Sequence, residues 1–166
     1  MSRLMLVFFC VLSFTCVCYC VPAGIADLVT LDQRYVFNQS QPVNGSLEME
    51  GRFLKHLFWA TELAPESPDY YERIAYMFAI QGAGLLNNQK VSEQKFILAE
   101  KNYRHALMLR PMSSILFANL ALLKFYRKAP KAEINQLTIT ANLYGRNDPQ
   151  KEKTLLYLNK LNDGRH

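Results

Sequence analysis

The sequence predicts an all-α protein in which helical hairpins follow one long apolar N-terminal helix. Three observations lead to this prediction: a charge-free apolar run over 4–26, helix-period apolar spacing through most of the remainder, and prolines at the ends of the periodic stretches. At 166 residues the chain is long enough for one such domain. We divide it into an N-terminal segment over 1–26, an amphipathic extension and linker over 27–45, a helical domain over 46–162 and a tail over 163–166.

The apolar run over 4–26 predicts a transmembrane anchor helix. A helix of this length extends about 34 Å, and the hydrocarbon core of a bilayer is about 30 Å thick. Arg3 precedes the run, whereas Asp27, Asp32 and Arg34 follow it. This charge distribution predicts a single-pass inner-membrane protein with a cytoplasmic N-terminus and a C-terminal domain in the periplasm.

The alternative for the same segment is a secretory signal peptide. Val21-Pro22-Ala23 offers a small-residue cleavage site, and its use would release a soluble exported protein. All four cysteines, Cys10, Cys16, Cys18 and Cys20, lie in this segment. We therefore expect no disulfide, cysteine nucleophile or cysteine-ligated metal in the helical domain.

The helical domain is predicted to begin with Ser46 as the N-cap of a helix over about 47–63, which Pro65 terminates. Ser67-Pro68-Asp69 starts the next helix, because proline is favoured in a first helical turn, and Gly82-Ala83-Gly84 ends it. The polar stretch over 85–94 is predicted to be a loop.

Four more helices are predicted after that loop. Ser92 is the expected N-cap of a helix running to about Leu109, and Pro111 follows it. Gly145 is the expected C-terminal cap of the third of the four, and Asp148-Pro149 opens the last. The other helices are predicted over 114–127, 131–144 and 149–161.

The helical domain also carries an internal repeat. An offset of 46 residues superposes five structural positions, which are Ala60 on Ala106, Pro65 on Pro111, Tyr71 on Phe117, Ile74 on Leu120 and Ala75 on Ala121. A further offset of 35 places Ala141 on Ala106 and Leu155 on Leu120. The tetratricopeptide repeat has a period near 34 residues, and the loop over 85–94 can account for the longer first spacing.

The residues at these positions resemble the tetratricopeptide family. Phe117-Ala118-Asn119-Leu120-Ala121 is similar to the start of its helix A, and Ala99, Tyr103, Ala106 and Pro111 are similar to its helix B positions. About two and a half degenerate repeats are legible over 47–161. Phe53, Lys124 and Arg146 depart from the family pattern at a small, an aromatic and a proline position.

A narrower resemblance rests on short motifs between the N-terminal segment and Pro149. The N-terminal anchor leading into Gly24-Ile25-Ala26-Asp27-Leu28, the two Ala-to-Pro stretches ending at Pro65 and Pro111, and the final Tyr144-Gly145 before Pro149 are similar to the VpsP-type accessory proteins of bacterial exopolysaccharide gene clusters. This resemblance implies an inner-membrane protein that supports polysaccharide assembly or export. It brings no catalytic residue with it.

Catalysis and nucleic-acid binding are not indicated by the sequence. His56, His105 and His166 lie outside any HExxH, GxSxG or Ser-His-Asp pattern, and the first two are expected on helix surfaces. The net charge is +5, but the lysines and arginines are interspersed with aspartates and glutamates and form no dense basic stripe. We therefore predict no enzyme activity, no cofactor, no metal and no nucleic-acid partner.

Stacked repeats leave a concave face that can bind an extended peptide or a partner helix. The family alignment places five residues on that face: Arg73, Tyr76, Asn119, Leu122 and Tyr126. The structural alternative is that Leu122 packs against a neighbouring helix and Asn119 bonds helix to helix.

The predicted function is a membrane-anchored adaptor that binds protein partners, among them polysaccharide synthesis or export proteins. The alternatives are an exported soluble chaperone or assembly factor, released by signal-peptide cleavage, and a small exported helical enzyme.

Overall fold

The computed structural model describes residues 3–29 and 47–164, and within them it confirms the predicted all-α class. The described part of the chain forms seven helices: α1 (Arg3–Val29), α2 (Leu47–Leu63), α3 (Pro68–Gly84), α4 (Gln89–Leu109), α5 (Ser114–Tyr126), α6 (Lys131–Tyr144) and α7 (Pro149–Asn162).

A search of the described residues finds no helix with both the length and the apolar character that crossing a membrane requires. The finding does not support the predicted span over 4–26. Most of the predicted extension and linker over 27–45, and the predicted N-cap Ser46, lie outside the described residues.

The chain divides into two compact units, Met1–Glu66 and Ser67–His166. In the first unit α1 contacts α2. Ala26 on α1 and Leu57 and Ala60 on α2 are fully buried. The division places α2 with α1, whereas the sequence analysis groups it with the helices that follow.

The second unit is built from two helical hairpins and a final helix. Antiparallel neighbours α3 and α4 form the first hairpin, and α5 and α6 form the second. Helix α5 contacts both helices of the first hairpin, and α7 packs on α5. One core cluster joins α5, α6 and α7 through Ala118, Ala121, Ile134, Ala141, Leu155 and Leu158.

The predicted loop over 85–94 is wrong in its second half, because α4 begins at Gln89. The N-cap is Asn88, whose side chain accepts a hydrogen bond from the Val91 amide at 3.4 Å. Ser92, the predicted N-cap, is buried inside the helix and donates to the Gly82 carbonyl at 2.8 Å. Its hydroxyl therefore joins α4 to α3 instead of capping α4.

The other predicted helix starts are confirmed. Ser67 precedes α3, Pro130 precedes α6 and Asp148 precedes α7, each as the N-cap residue. The Asp148 side chain accepts from the Gln150 and Lys151 amides at 3.0 and 3.3 Å, which satisfies two donors that a helix start leaves open.

Two glycines mark close approaches within this unit. A Cβ atom on Gly82 of α3 would lie 2.6 Å from the ring of Phe96 on α4. A Cβ atom on Gly145, the C-cap of α6, would overlap the Cβ and Oγ atoms of Ser114 at the start of α5. The absence of a side chain lets the helices meet at both points.

Candidate protein-binding face

The five residues predicted to bind a partner lie on two helices of the second unit. Arg73 and Tyr76 are on α3, and Asn119, Leu122 and Tyr126 are on α5. Because α3 contacts α5 and α5 contacts α7, these helices are neighbours in that order. We call the set of five, together with the α7 residues that contact it, the candidate face.

On α3, Tyr76 presents a half-exposed aromatic ring, with 43% of its surface accessible, and Arg73 is partly buried. Burial raises the pKa of the Tyr76 hydroxyl, so this side chain is a neutral phenol at physiological pH. Tyr103 of α4 is buried in the core of the same hairpin, and burial raises the pKa of its hydroxyl well above the ordinary value. The α3 part of the candidate face is therefore uncharged except for Arg73.

On α5, all three predicted residues already contact other helices or the core. The hydroxyl of Thr154 on α7 donates to the Gln150 carbonyl of its own helix at 3.1 Å, and it also lies 3.5 Å from the Asn119 Oδ1 atom, at the limit of hydrogen-bond distance. Leu122 is partly buried and packs against the core cluster of α5, α6 and α7. The hydroxyl oxygens of Tyr126 and Tyr157 lie 3.1 Å apart, within hydrogen-bond distance.

Tyr126 lies where α4, α5 and α7 meet. Its ring stacks on that of Phe96 from α4, with the centroids 6.0 Å apart and the planes inclined by 17°. Burial and the hydrogen bond with Tyr157 raise the pKa of its hydroxyl far above the ordinary value for tyrosine. Tyr126 therefore fixes α7 against α5 while part of its surface remains accessible.

The structure adds two α7 residues, Thr154 and Tyr157, to the candidate face. Neither is among the five predicted residues, although the offset of 35 residues that places Leu155 on Leu120 also places Thr154 on Asn119 and Tyr157 on Leu122. Extending the repeat by one helix would have found both. Tyr157 is 47% exposed, close to the exposure of Tyr76.

An ionic cluster holds α5 in place beside the candidate face. Lys124 bridges Glu100 on α4 and Glu133 on α6, with N to O distances of 3.0 and 2.8 Å. Arg127 pairs with Glu100 and, at 2.5 Å, with Glu93. Lys124 is one of the departures from the tetratricopeptide pattern, and these two ion pairs give it a structural role.

Glu100 is the centre of the ionic cluster. Burial acts to raise the pKa of its carboxyl, but the hydrogen bonds and the positive charges of Arg104 and Lys124 together outweigh burial and lower the pKa. Glu100 is therefore charged at neutral pH and attracts both Lys124 of α5 and Arg127 just after it.

A separate clamp closes the first hairpin. Arg110, just after α4, donates to the carboxylates of Asp69 and Glu72 in α3, at 3.2 and 2.6 Å. Burial raises the pKa of Glu72, and the Arg110 charge opposes that rise. The clamp sets the position of the α3 turn from which Arg73 and Tyr76 project.

Residues that could ligate a metal ion are not clustered in the part of the chain that the structure describes. Over residues 3–29 and 47–164, no three or more His, Cys, Asp or Glu side chains are arranged to hold a metal ion. His105 packs on the Tyr71 ring with centroids 4.1 Å apart, and it and His56 are partly exposed on helices, as predicted. The candidate face instead offers aromatic rings, hydroxyls and an amide.

Comparison with known proteins finds no match to this chain among family models, curated proteins or solved structures.

Proposed function

We propose that this chain is a helical adaptor that acts by binding protein partners through the candidate face. The observation that carries the proposal is the row of neighbouring helices α3, α5 and α7, with half-exposed Tyr76 at one end and half-exposed Tyr157 at the other. Tyrosine is enriched at protein interfaces because its ring buries apolar area while its hydroxyl still finds a partner. This surface suits a peptide or helix better than a small molecule.

The stacking order of the helices supports a tetratricopeptide-like arrangement for the second unit. In that arrangement α3, α5 and α7 are the inner helices of successive repeats, and α4 and α6 are the outer ones. Contacts of α5 with both helices of the preceding hairpin and with α7 agree with it. The equivalence of Asn119 with Thr154 under the repeat offset is also consistent with their hydrogen bond.

The biological setting in the proposal comes from the sequence alone. The resemblance to VpsP-type accessory proteins assigns the adaptor to exopolysaccharide assembly or export, with partners among the synthesis or export proteins. The apolar segment over 4–26 is the proposed tether to the inner membrane, with the second unit in the periplasm. The mode of action is contact, without a chemical step.

Site-specific photo-crosslinking in the cell that encodes the protein tests the proposal. A photoreactive phenylalanine analogue replaces Tyr76 in the full-length chain, and crosslinked proteins are identified by mass spectrometry. The matched control carries the same analogue at Leu143, which is 75% exposed on α6 and lies outside the candidate face. We expect a discrete partner from position 76 and little or none from position 143.

Two outcomes would contradict the proposal. Equal crosslinking from positions 76 and 143 would remove the candidate face as a binding surface. If the crosslinked partners have no part in polysaccharide synthesis or export, the adaptor function would be supported but its assignment to exopolysaccharide assembly or export would be wrong.

A further inference from the structure

A second surface lies on α2, in the first unit. Arg52, Lys55, Trp59 and Glu62 recur at intervals of three and four residues, so they lie on one face of the helix, and all four are exposed. Leu57 and Ala60 are fully buried and lie on the opposite face. Trp59 is 51% exposed, although tryptophan has the largest apolar surface of any side chain. We call this stripe the outer face of α2.

Between residues 52 and 62, the charges on the outer face are segregated along the helix. Arg52 and Lys55 occupy its N-terminal half, Trp59 and the neighbouring Phe58 its centre, and Glu62 its C-terminal half. Arg52, Lys55 and Glu62 form no ion pair with any residue that the structure describes. Since Lys55 and Glu62 are seven residues apart, they are too distant along one helix to pair with each other.

Such a pattern complements itself when the helix is reversed. If two copies of α2 lie antiparallel with their midpoint between residues 58 and 59, the aromatic centres of both copies meet. Lys55 and Glu62 lie equally far from that midpoint on opposite sides, so Lys55 of each copy faces Glu62 of the other. Arg52 then lies near the C-terminal end of α2 in the second copy, and Glu66, three residues beyond that end, is another exposed carboxylate.

We propose that the outer face of α2 is a self-association surface whose occupant is a second copy of this chain, bound antiparallel through Trp59 and two reciprocal Lys55–Glu62 ion pairs. A two-fold interface of this kind uses the same patch on both subunits. One helix face is smaller than a standard stable interface, so we expect a weak, reversible dimer. The inference does not depend on the proposed adaptor function. If both hold, the dimer carries two candidate faces, one on each copy.

Sedimentation velocity of the full-length chain in a mild detergent tests this proposal through charge exchange. Lys55→Glu sets two carboxylates against each other at both ends of the interface, and Glu62→Lys sets two ammonium groups together at both ends. Each variant alone should raise the dimer dissociation constant roughly tenfold or more. An equimolar mixture of the two should form a heterodimer of nearly wild-type affinity, because each end of the interface then joins one carboxylate of the first variant to one ammonium group of the second.

The double variant Lys55→Glu/Glu62→Lys should likewise recover wild-type affinity. Lys101→Glu is the matched control, since Lys101 is exposed on α4 and lies outside the outer face of α2. Trp59 is the single tryptophan of the chain, so its emission reports on this surface directly. We expect the emission maximum to shift to shorter wavelength as wild-type concentration rises, and to shift much less for either single variant.

Three results would overturn the proposal. The wild-type chain could remain monomeric up to about 100 µM, a concentration at which even weak specific contacts are populated. It could dimerise equally with Lys55→Glu, which would place the contact elsewhere, for example on α1. It could also show a Trp59 emission shift that follows added lipid and not protein concentration, which would assign the surface to a membrane. None of these results bears on crosslinking from Tyr76, so the two proposals fail independently.

Discussion

The contact between Gly82 and Phe96 gives the sharpest test of the hairpin packing. Gly82→Ala adds one methyl group at a point 2.6 Å from the Cδ1 and Cε1 atoms of the Phe96 ring. Carbon atoms in good contact are about 3.5–4.0 Å apart, so the ring must move by about 1 Å. Phe96 is buried and stacks on Tyr126, which leaves it little room to do so.

Two opposing effects set the magnitude for Gly82→Ala. Replacing glycine by alanine inside a helix gains about 1 kcal/mol of intrinsic helix stability. Overpacking a close-fitting core costs about 1–3 kcal/mol. We therefore expect the free energy of unfolding to fall by about 1 kcal/mol, and by no more than about 2 kcal/mol, measured by urea titration with circular dichroism at about 222 nm.

Gly84→Ala is the matched control, because it lies two residues away in α3 and a Cβ atom there has nothing within 4 Å. We expect it to be neutral or to stabilise by up to about 1 kcal/mol. In a Phe96→Ala background the obstacle is gone, so Gly82→Ala should change sign and become stabilising. Equal stabilisation by Gly82→Ala and Gly84→Ala in the otherwise unchanged chain would refute the close packing of α3 on α4.

Two further predictions concern the links between helices. Asp148→Ala should lower the free energy of unfolding by about 1–2 kcal/mol, because it removes the N-cap of α7 and the carboxylate that accepts a hydrogen bond from the Ser114 hydroxyl at 2.7 Å. Asp148→Asn should lower the free energy of unfolding by less. An unchanged urea midpoint for the alanine variant would contradict the capping role. The pKa of Glu100 is lowered in the folded state, so its contribution to stability is complete above its ordinary value of 4.5 and is lost as pH falls through the folded pKa. Urea midpoints measured between about pH 3 and pH 7 should therefore fall less steeply on acidification for Glu100→Gln than for the wild type, and parallel curves would show that the ionic cluster does not depend on Glu100.

Local sequence signals predicted most of the helix boundaries. Ser67-Pro68 and Asp148-Pro149 mark helix starts through an extended N-cap and a fixed proline φ, both of which act within a few residues. The start of α4 was missed because two capping residues compete there. Asn88 caps the helix, whereas the hydroxyl of Ser92 donates a hydrogen bond to the carbonyl of Gly82, ten residues earlier. This second contact depends on the packing of α3 against α4.

The candidate face was predictable only in part, for a related reason. Alignment with the resembled tetratricopeptide family can indicate which positions lie on a face, and the predictions for Tyr76 and Tyr126 came from that alignment. Such an alignment does not show which side chains on the face already contact a neighbouring helix. Asn119 and Tyr126 both lie against residues of α7. The role of Lys124 was equally hidden, because its two partners lie 24 residues before it and 9 residues after it in the sequence.

Lys151 gives the attachment of α7 a chemical signature. Its side chain is fully buried, and its Nζ atom donates to the Gly145 carbonyl at 2.5 Å and to Asn142 Oδ1 at 3.2 Å, at the end of α6. Amine-reactive reagents need an accessible, deprotonated Nζ, so they will reach this lysine only when α7 separates from α6. Lys153 and Lys160 are exposed on the same helix and remain open to reagent throughout. The labelling rate of Lys151 relative to those of Lys153 and Lys160 therefore measures how often α7 detaches from α6.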